Sequence, residues 1–295
     1  MVLREKLEAN GVRLFIEEEH LAPALFAMGE GEVALCSRSN PASDDGSPNE
    51  DASALISVGS QGMVLAVADG LGGARAGQQA SALAVQCLVE AVRDAAREGR
   101  EVRAGILDGF DRGNEKVMAL GLGAATTLTV AEVERGSVRT YHVGDSFLLV
   151  TGARGRVKLK TIPHSPVGYG IESGLLDAED AMGHHERHFV SNVIGSADMR
   201  IDVGSPVELS RHDTLVLGSD GLSDNLLTEE IVTCVRKGPL DAASRELLRR
   251  ATERMEGPDG KAPSKPDDLT FLIYRRRSDS STRRRKDAGS MAGKR

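Results

Sequence analysis

Four short segments set aspartate beside glycine or another small or acidic residue where an apolar run begins or ends: Asp69-Gly70, Gly144-Asp145-Ser146, Ser219-Asp220-Gly221 and Asp267-Asp268. Taken singly, each is an ordinary turn signal. Their recurrence at strand ends is what carries chemistry, because neighbouring strands bring their ends together while the loops leave room for a substrate. Carboxylates that converge repel one another and hold their protons unless a cation sits among them. Hard oxygen donors of this kind favour Mg²⁺ or Mn²⁺ over zinc. Such an ion can acidify a water from its own shell while a neighbouring ion neutralises phosphate oxygens, which suits metal-assisted hydrolysis of a phosphate ester. Glycine at position 70 allows a close backbone approach, so its carbonyl is a further candidate ligand.

Other groupings carry less. His184, His185 and His188 lack the His-Glu-x-x-His order of a helical zinc site and read as a solvated excursion. Gly121-Leu-Gly-Ala-Ala follows a helix and has no lysine of a nucleotide loop, so it reads as a helix stop. Cys36, Cys87 and Cys234 are odd in number and far apart, which points away from a disulfide framework or a cysteine zinc site and towards a reducing, cytoplasmic setting.

These residues need a scaffold, and the hydrophobic pattern supplies one. Glu32-Val-Ala-Leu, Ala54-Leu-Ile-Ser-Val and Gly62-Met-Val-Leu-Ala-Val-Ala read as strands, the last running into Asp69. Apolar residues at three-and-four spacing predict helices over 76–97 and 102–118, the second closed by Gly121. The period then falls to two, and Thr126–Ala131, Val138–Val143 and Phe147–Thr151 read as an antiparallel meander. Residues 164–202 read as an irregular surface excursion. A strand ending at Ser219, a helix from Pro239 and a last strand over Leu269–Tyr274 complete the pattern. Strands and helices come in groups rather than in alternation, which favours an α+β layered fold.

Composition narrows the class. Apolar residues make up 40% and charged residues 27% of 295, the mix of a folded globular chain. Aromatic content of 3%, no tryptophan and a net charge of −7 argue against a nucleic-acid surface built on stacking and basic patches. The start is charged and no apolar run is long enough to span a bilayer. No membrane association and a monomer are expected. Residues 1–31 read as an N-terminal extension, 32–277 as the functional domain, and 278–295, rich in Ser, Arg and Lys, as a disordered tail.

Asn49-Glu-Asp-Ala52, Val67-Ala-Asp-Gly-Leu-Gly-Gly73, Thr126-Thr-Leu, His142-Val-Gly-Asp-Ser146, Ser219-Asp-Gly-Leu-Ser-Asp224 and Asp267-Asp-Leu-Thr270 stand in the order of the motifs of the protein phosphatase 2C (PP2C, or PPM) family, bacterial type. The chain resembles that family over roughly Glu32 to Arg277. The resemblance implies a four-layer α-β-β-α sandwich of two antiparallel sheets. It implies a serine/threonine protein phosphatase working through a metal-activated water, with a phosphorylated protein as substrate and a serine/threonine kinase as its opponent. By motif position Asp69 would bridge two Mg²⁺ or Mn²⁺ ions, Asp220 and Asp267 would complete the first site, and Glu50 with the Gly70 carbonyl the second. Asp145, with Asp220, matches a third and weaker site. Asp51, Asp224 and Asp268 would be supporting residues. Asp69 and Asp220 are thereby the catalytic candidates.

Three departures stand out. Leu71 follows Asp-Gly, where eukaryotic members often have a histidine able to donate a proton. The arginine that family members commonly carry before the Glu-Asp pair is missing, since that stretch is Gly46-Ser47-Pro48, and Phe147 replaces another arginine after Gly-Asp-Ser. Arg38 is the candidate to fold back onto the substrate phosphate. A catalytically weak, partner-binding module of the same fold stays open as the alternative.

Overall fold

The structure is a computed structural model that describes residues 3–5, 8, 11–20, 22–42, 48–71, 74–121, 123–177, 180–181, 183–257 and 264–277. One sheet runs in the order β1 (Leu3–Glu5), β3 (Ala24–Met28), β4 (Gly31–Arg38), β16 (Leu269–Arg276), β15 (Thr214–Gly218), β11 (Phe147–Thr151), β12 (Val157–Lys160). The other runs β13 (Asp202–Val203), β10 (Ser137–Val143), β9 (Leu128–Glu134), β6 (Gly62–Ala68), β5 (Ala52–Val58), β2 (Val12–Ile16), with β14 (Val207–Glu208) also on β10. All pairings are antiparallel except β1 with β3. A small ribbon pairs β7 (Gly70–Leu71) with β8 (Ala125–Thr126).

The layers follow from how each strand divides its side chains. Along β6, Met63, Leu65 and Val67 point into the core between the sheets, while Val64, Ala66 and Ala68 point outward beneath α1 (Ala74–Arg97) and α2 (Val102–Leu120). Burial on both faces is why Gly62–Ala68 reads as an unbroken apolar run rather than an alternation. On the far side, Leu272 and Tyr274 of β16 face the middle, and Leu269, Phe271 and Ile273 face the helices Thr228–Val235 and Leu240–Glu256. Three apolar layers between helix, sheet, sheet and helix make the four-layer α+β sandwich. Cys36, Cys87 and Cys234 are buried in its interior with no disulfide. Burial pushes their thiols up, Cys36 to about 12.

The α1 and α2 helices match the predicted spacing, and Gly121 (φ +67°) closes α2. Three local expectations differ. Phe147–Thr151 does not continue the meander: β9 and β10 pair, but β11 pairs with β15 and β12 in the opposite sheet. Gly144, at φ +105°, turns the chain across in a conformation glycine adopts without strain, and no strand pattern records such a crossing. The excursion after His164 contains a helix, α3 (Pro166–Glu172), whose cap is Ser165 accepting from the Gly168 N–H at 2.9 Å with proline following. Residues assigned to an N-terminal extension supply β2 and β3, one to each sheet. The expected tail, 278–295, lies outside the described residues. Among the described residues no helix is long and apolar enough to cross a membrane.

Candidate metal centre

Every singled-out carboxylate lies at one end of the sandwich. Asp69 follows β6, Glu50 and Asp51 precede β5, Asp145 stands between β10 and β11, Asp220 follows β15, and Asp267 and Asp268 precede β16. The strand register makes these ends coincide: Ala52 sits opposite Ala68, Phe147 opposite Gly218, and Gly218 opposite Phe271.

Backbone and hydroxyl contacts hold the loops. The Thr127 hydroxyl accepts from the Asp69 N–H at 2.9 Å and lies 2.7 Å from the Ser146 hydroxyl, while the Thr126 hydroxyl donates to the Asp69 carbonyl at 2.7 Å. The two threonines thus tie the Asp69 turn to the Gly144-Asp145-Ser146 crossing. His164 grips the same crossing: its Nδ1 accepts from the Gly144 N–H at 3.1 Å and its own N–H donates to the Gly144 carbonyl at 2.9 Å. Asp268 accepts from the N–H groups of Asn40 (2.7 Å) and Glu50 (2.6 Å), and Asp51 accepts from the Ser219 hydroxyl at 2.8 Å. These last two side chains support the loops that carry Glu50 and Asp220. The Glu50 carboxylate packs against Gly77 near the start of α1, where any Cβ would collide with it.

The electrostatics are those of anions crowded together. Loss of water and then the charge of Asp220 hold the Asp69 carboxyl well above its ordinary range, with Asp51, Asp267 and Asp145 adding to the effect. The same causes push Asp145 up to about 8, and Asp267 to about 6. One cation answers them directly. The Lys265 ammonium stands 2.8 Å from Asp220, 2.9 Å from Asp224 and 2.8 Å from Asp267. Burial opposes its charge, but those three carboxylates more than offset this and raise its pKa. Arg187, on the segment after α3, lines a cavity with Asp145, Asp220 and Asp224 and lowers the Asp224 carboxyl against the stronger effects of burial and Asp220. Pro163, Val167, Ile171 and Leu226 form an apolar part of the same cavity.

The donor set fits hard divalent cations. Several carboxylates share one partly enclosed end, their protonation is favoured by mutual repulsion, and a positively charged group already sits among three of them. Asp69, Asp145, Asp220 and Asp267 are together here, with Glu50 and Gly70 beside them: the Gly70 N–H donates to the Glu50 carbonyl at 3.2 Å.

Arg38 reaches this end on β4, but its side chain points away from the carboxylates. It lies opposite Leu269 in the β4–β16 register, so it shares the outward face of Leu269, and its guanidinium donates to Thr252 at 3.1 Å in a groove with Arg245 and Arg249. Sequence reasoning passed over Lys265 and Arg187. Lys265 stands only two residues before Asp267, a signal that was present; Arg187 sits within the histidine-rich run and had none.

A second grouping, His142, His164 and Asp202, has ligand atoms within 4.8 Å of one another. His164 Nδ1 already accepts from a backbone N–H, which leaves the proton on Nε2 and no lone pair there for a metal. His142 Nε2 lies 3.0 Å from the Ile162 carbonyl, so the pair acts as loop structure.

The profile of the family described as protein phosphatase 2C matches residues 41–261. A protein phosphatase, PhpP, of Streptococcus pneumoniae serotype 2 is 32% identical over 200 residues, covering 64% of this chain and 79% of its own. A solved serine/threonine phosphatase of S. agalactiae superposes with a TM-score of 0.67 at 25% identity, covering 84% of this chain and 100% of its own. The catalytic domain of the serine threonine protein phosphatase PstP, solved with 2 manganese ions, shares the fold at 22% identity and a TM-score of 0.63, over 82% of this chain and 96% of its own.

Proposed function

The chain belongs to the protein phosphatase 2C family and is a serine/threonine phosphatase of that type, and we propose that the carboxylates at the end of its sandwich hold two Mg²⁺ or Mn²⁺ ions, with a third more weakly. Asp69, Asp220 and Asp267 would hold one position, Asp69 with Glu50 and the Gly70 carbonyl the second, and Asp145 with Asp220 the third. The observation that carries this reading is the convergence of carboxylates from both sheets at one end, where the charge of Asp220 acts on both Asp69 and Asp145 and an ammonium sits among Asp220, Asp224 and Asp267. A bound ion of this kind supplies Lewis acidity, lowering the pKa of water and neutralising phosphoryl oxygens.

The chain's own residues do the rest. Thr127 fixes the Asp69 main chain, so that carboxylate is aimed before substrate arrives. Arg187 faces the cavity beside Asp145 and Asp220, where a guanidinium can take a phosphoryl oxygen in the role first sought at Arg38. Leu71 has no proton to give, so protonation of the leaving serine or threonine oxygen falls to water. The apolar cavity wall of Pro163, Val167, Ile171 and Leu226 suits a side chain of a protein substrate flanking the phosphorylated residue. Such a substrate implies an opposing kinase, and the molecule is read as a cytoplasmic monomer.

Turnover of p-nitrophenyl phosphate and of a phosphothreonine peptide with Mn²⁺, with Mg²⁺ and with chelator tests the reading. Asp69→Asn and Asp220→Asn are each expected to lower metal-dependent turnover by about two orders of magnitude or more. Absence of metal-dependent turnover in the parent protein would leave the binding-module alternative.

A further inference from the structure

Lys265 is the residue of this centre to which neither the motifs nor the proposed ligand set gives a role. Its ammonium has three donors, and three carboxylates receive them: Asp220 and Asp267 at 2.8 Å and Asp224 at 2.9 Å. The position is built by the main chain. Asn225 is wholly buried; its Oδ1 accepts from the Lys265 N–H at 2.9 Å, and its Nδ2 donates to the Lys265 carbonyl at 2.8 Å and to the Gly221 carbonyl at 2.9 Å. One side chain therefore locks Lys265 to the helical turn that begins at Asp220. A long cationic side chain on an ordinary surface has no such anchor.

A divalent ion held by Asp220 and Asp267 needs their oxygens at about 2.0–2.2 Å, and both carboxylates already point an oxygen at the ammonium. Two positive charges cannot share that ground, because at a separation of about 3 Å their repulsion is strong in any protein dielectric. We propose that Lys265 is a tethered cation occupying the ion position on Asp220 and Asp267, and that a divalent ion loads this position only by displacing it. The inference rests on the metal-centre reading of the same aspartates. Loading is then an exchange of one cation for another: the ammonium weakens apparent affinity at that position and holds the carboxylates together when no metal is bound. The position on Asp69, Glu50 and the Gly70 carbonyl feels the exchange less, since neither side chain is among the ion-pair partners of Lys265.

The test uses the full chain, with Mn²⁺ alone as probe. Free Mn²⁺ is counted by electron paramagnetic resonance during titration of the parent, Lys265→Ser, Lys265→Met and Lys265→Arg, and each protein is melted in EDTA. Lys265→Met keeps the length and apolar stem of the side chain and covers the case in which Lys265→Ser does not fold. Removing the charge is expected to tighten the Mn²⁺ class held by Asp220 and Asp267 at least about tenfold and to lower the melting temperature in EDTA. Lys265→Arg keeps the charge and should stay near the parent in both. Equal Mn²⁺ affinity and stoichiometry in parent and neutral variants overturns the proposal and leaves the metal centre standing. No Mn²⁺ bound by any form overturns both.

Discussion

Two half-buried arginines divide sharply in what their loss should do. Arg187 lines the cavity with Asp145 and Asp220, and its replacement by alanine is expected to raise KM for a phosphothreonine peptide about tenfold or more, the worth of one charge-assisted hydrogen bond, with Mn²⁺ affinity little changed. Arg38 spends its guanidinium on Thr252 in the outer groove, so Arg38→Ala should leave steady-state kinetics as they are. A peptide-dependent KM unchanged in both would remove the arginine clamp from the mechanism. His164 offers a prediction of another kind. Burial, and then the neighbouring His142, push its imidazole down from 6.5 to about 4. Below pH 6.5 the unfolded chain takes up a proton that the folded chain refuses, so this residue's contribution to stability is whole above that pH and is lost as pH falls towards 4. An NMR titration should find the His164 ring neutral down to pH 5; a midpoint near 6.5 would contradict the grip on Gly144.

At the scale of elements, the close approach of α1 and α2 depends on glycines spaced four apart on α2. A Cβ on Gly109 would lie 2.7 Å from the Leu88 Cα, whereas one on Gly113 would lie 3.4 Å from the Ala84 Cα. Gly109→Ala should therefore lose about 1–3 kcal/mol to overpacking despite the better helix propensity, and Gly113→Ala should be neutral or stabilising. Urea unfolding of the two variants decides between packing and propensity. Element existence was legible where periodicity was strong, as in α1, α2 and the strand before Asp69. It was not legible where a tertiary event intervened. The sheet change at Gly144 and the recruitment of residues 12–28 as strands are set by partners distant in sequence, which local pattern cannot encode. The carboxylate set was readable because each member sits at a strand end beside a small or acidic residue; Lys265 was overlooked because a lysine next to aspartates looks like a solvated charge pair.

For the molecule as a whole, the proposed ligands come from both sheets: Asp69 and Glu50 from the sheet of β5 and β6, Asp220 and Asp267 from that of β15 and β16. An ion held by both fastens the two halves at one end. Mn²⁺ at about one hundred times its Kd should stabilise the fold by about 2.7 kcal/mol and raise the melting temperature by several degrees. Asp69→Asn should lose most of this shift. A melting temperature of the parent indifferent to Mn²⁺ would mean that the two sheets are not joined through that end.

The three interior thiols give the experimenter a clock. Only a thiolate reacts quickly with a disulfide reagent or an alkylator, and the fold keeps Cys36, Cys87 and Cys234 both protonated and out of reach. Labelling must then wait for the layer around each sulfur to open. Cys87 reports the helical layer on one flank, and Cys36 and Cys234 the layer on the other, so the order in which they are labelled records which side of the sandwich comes apart first.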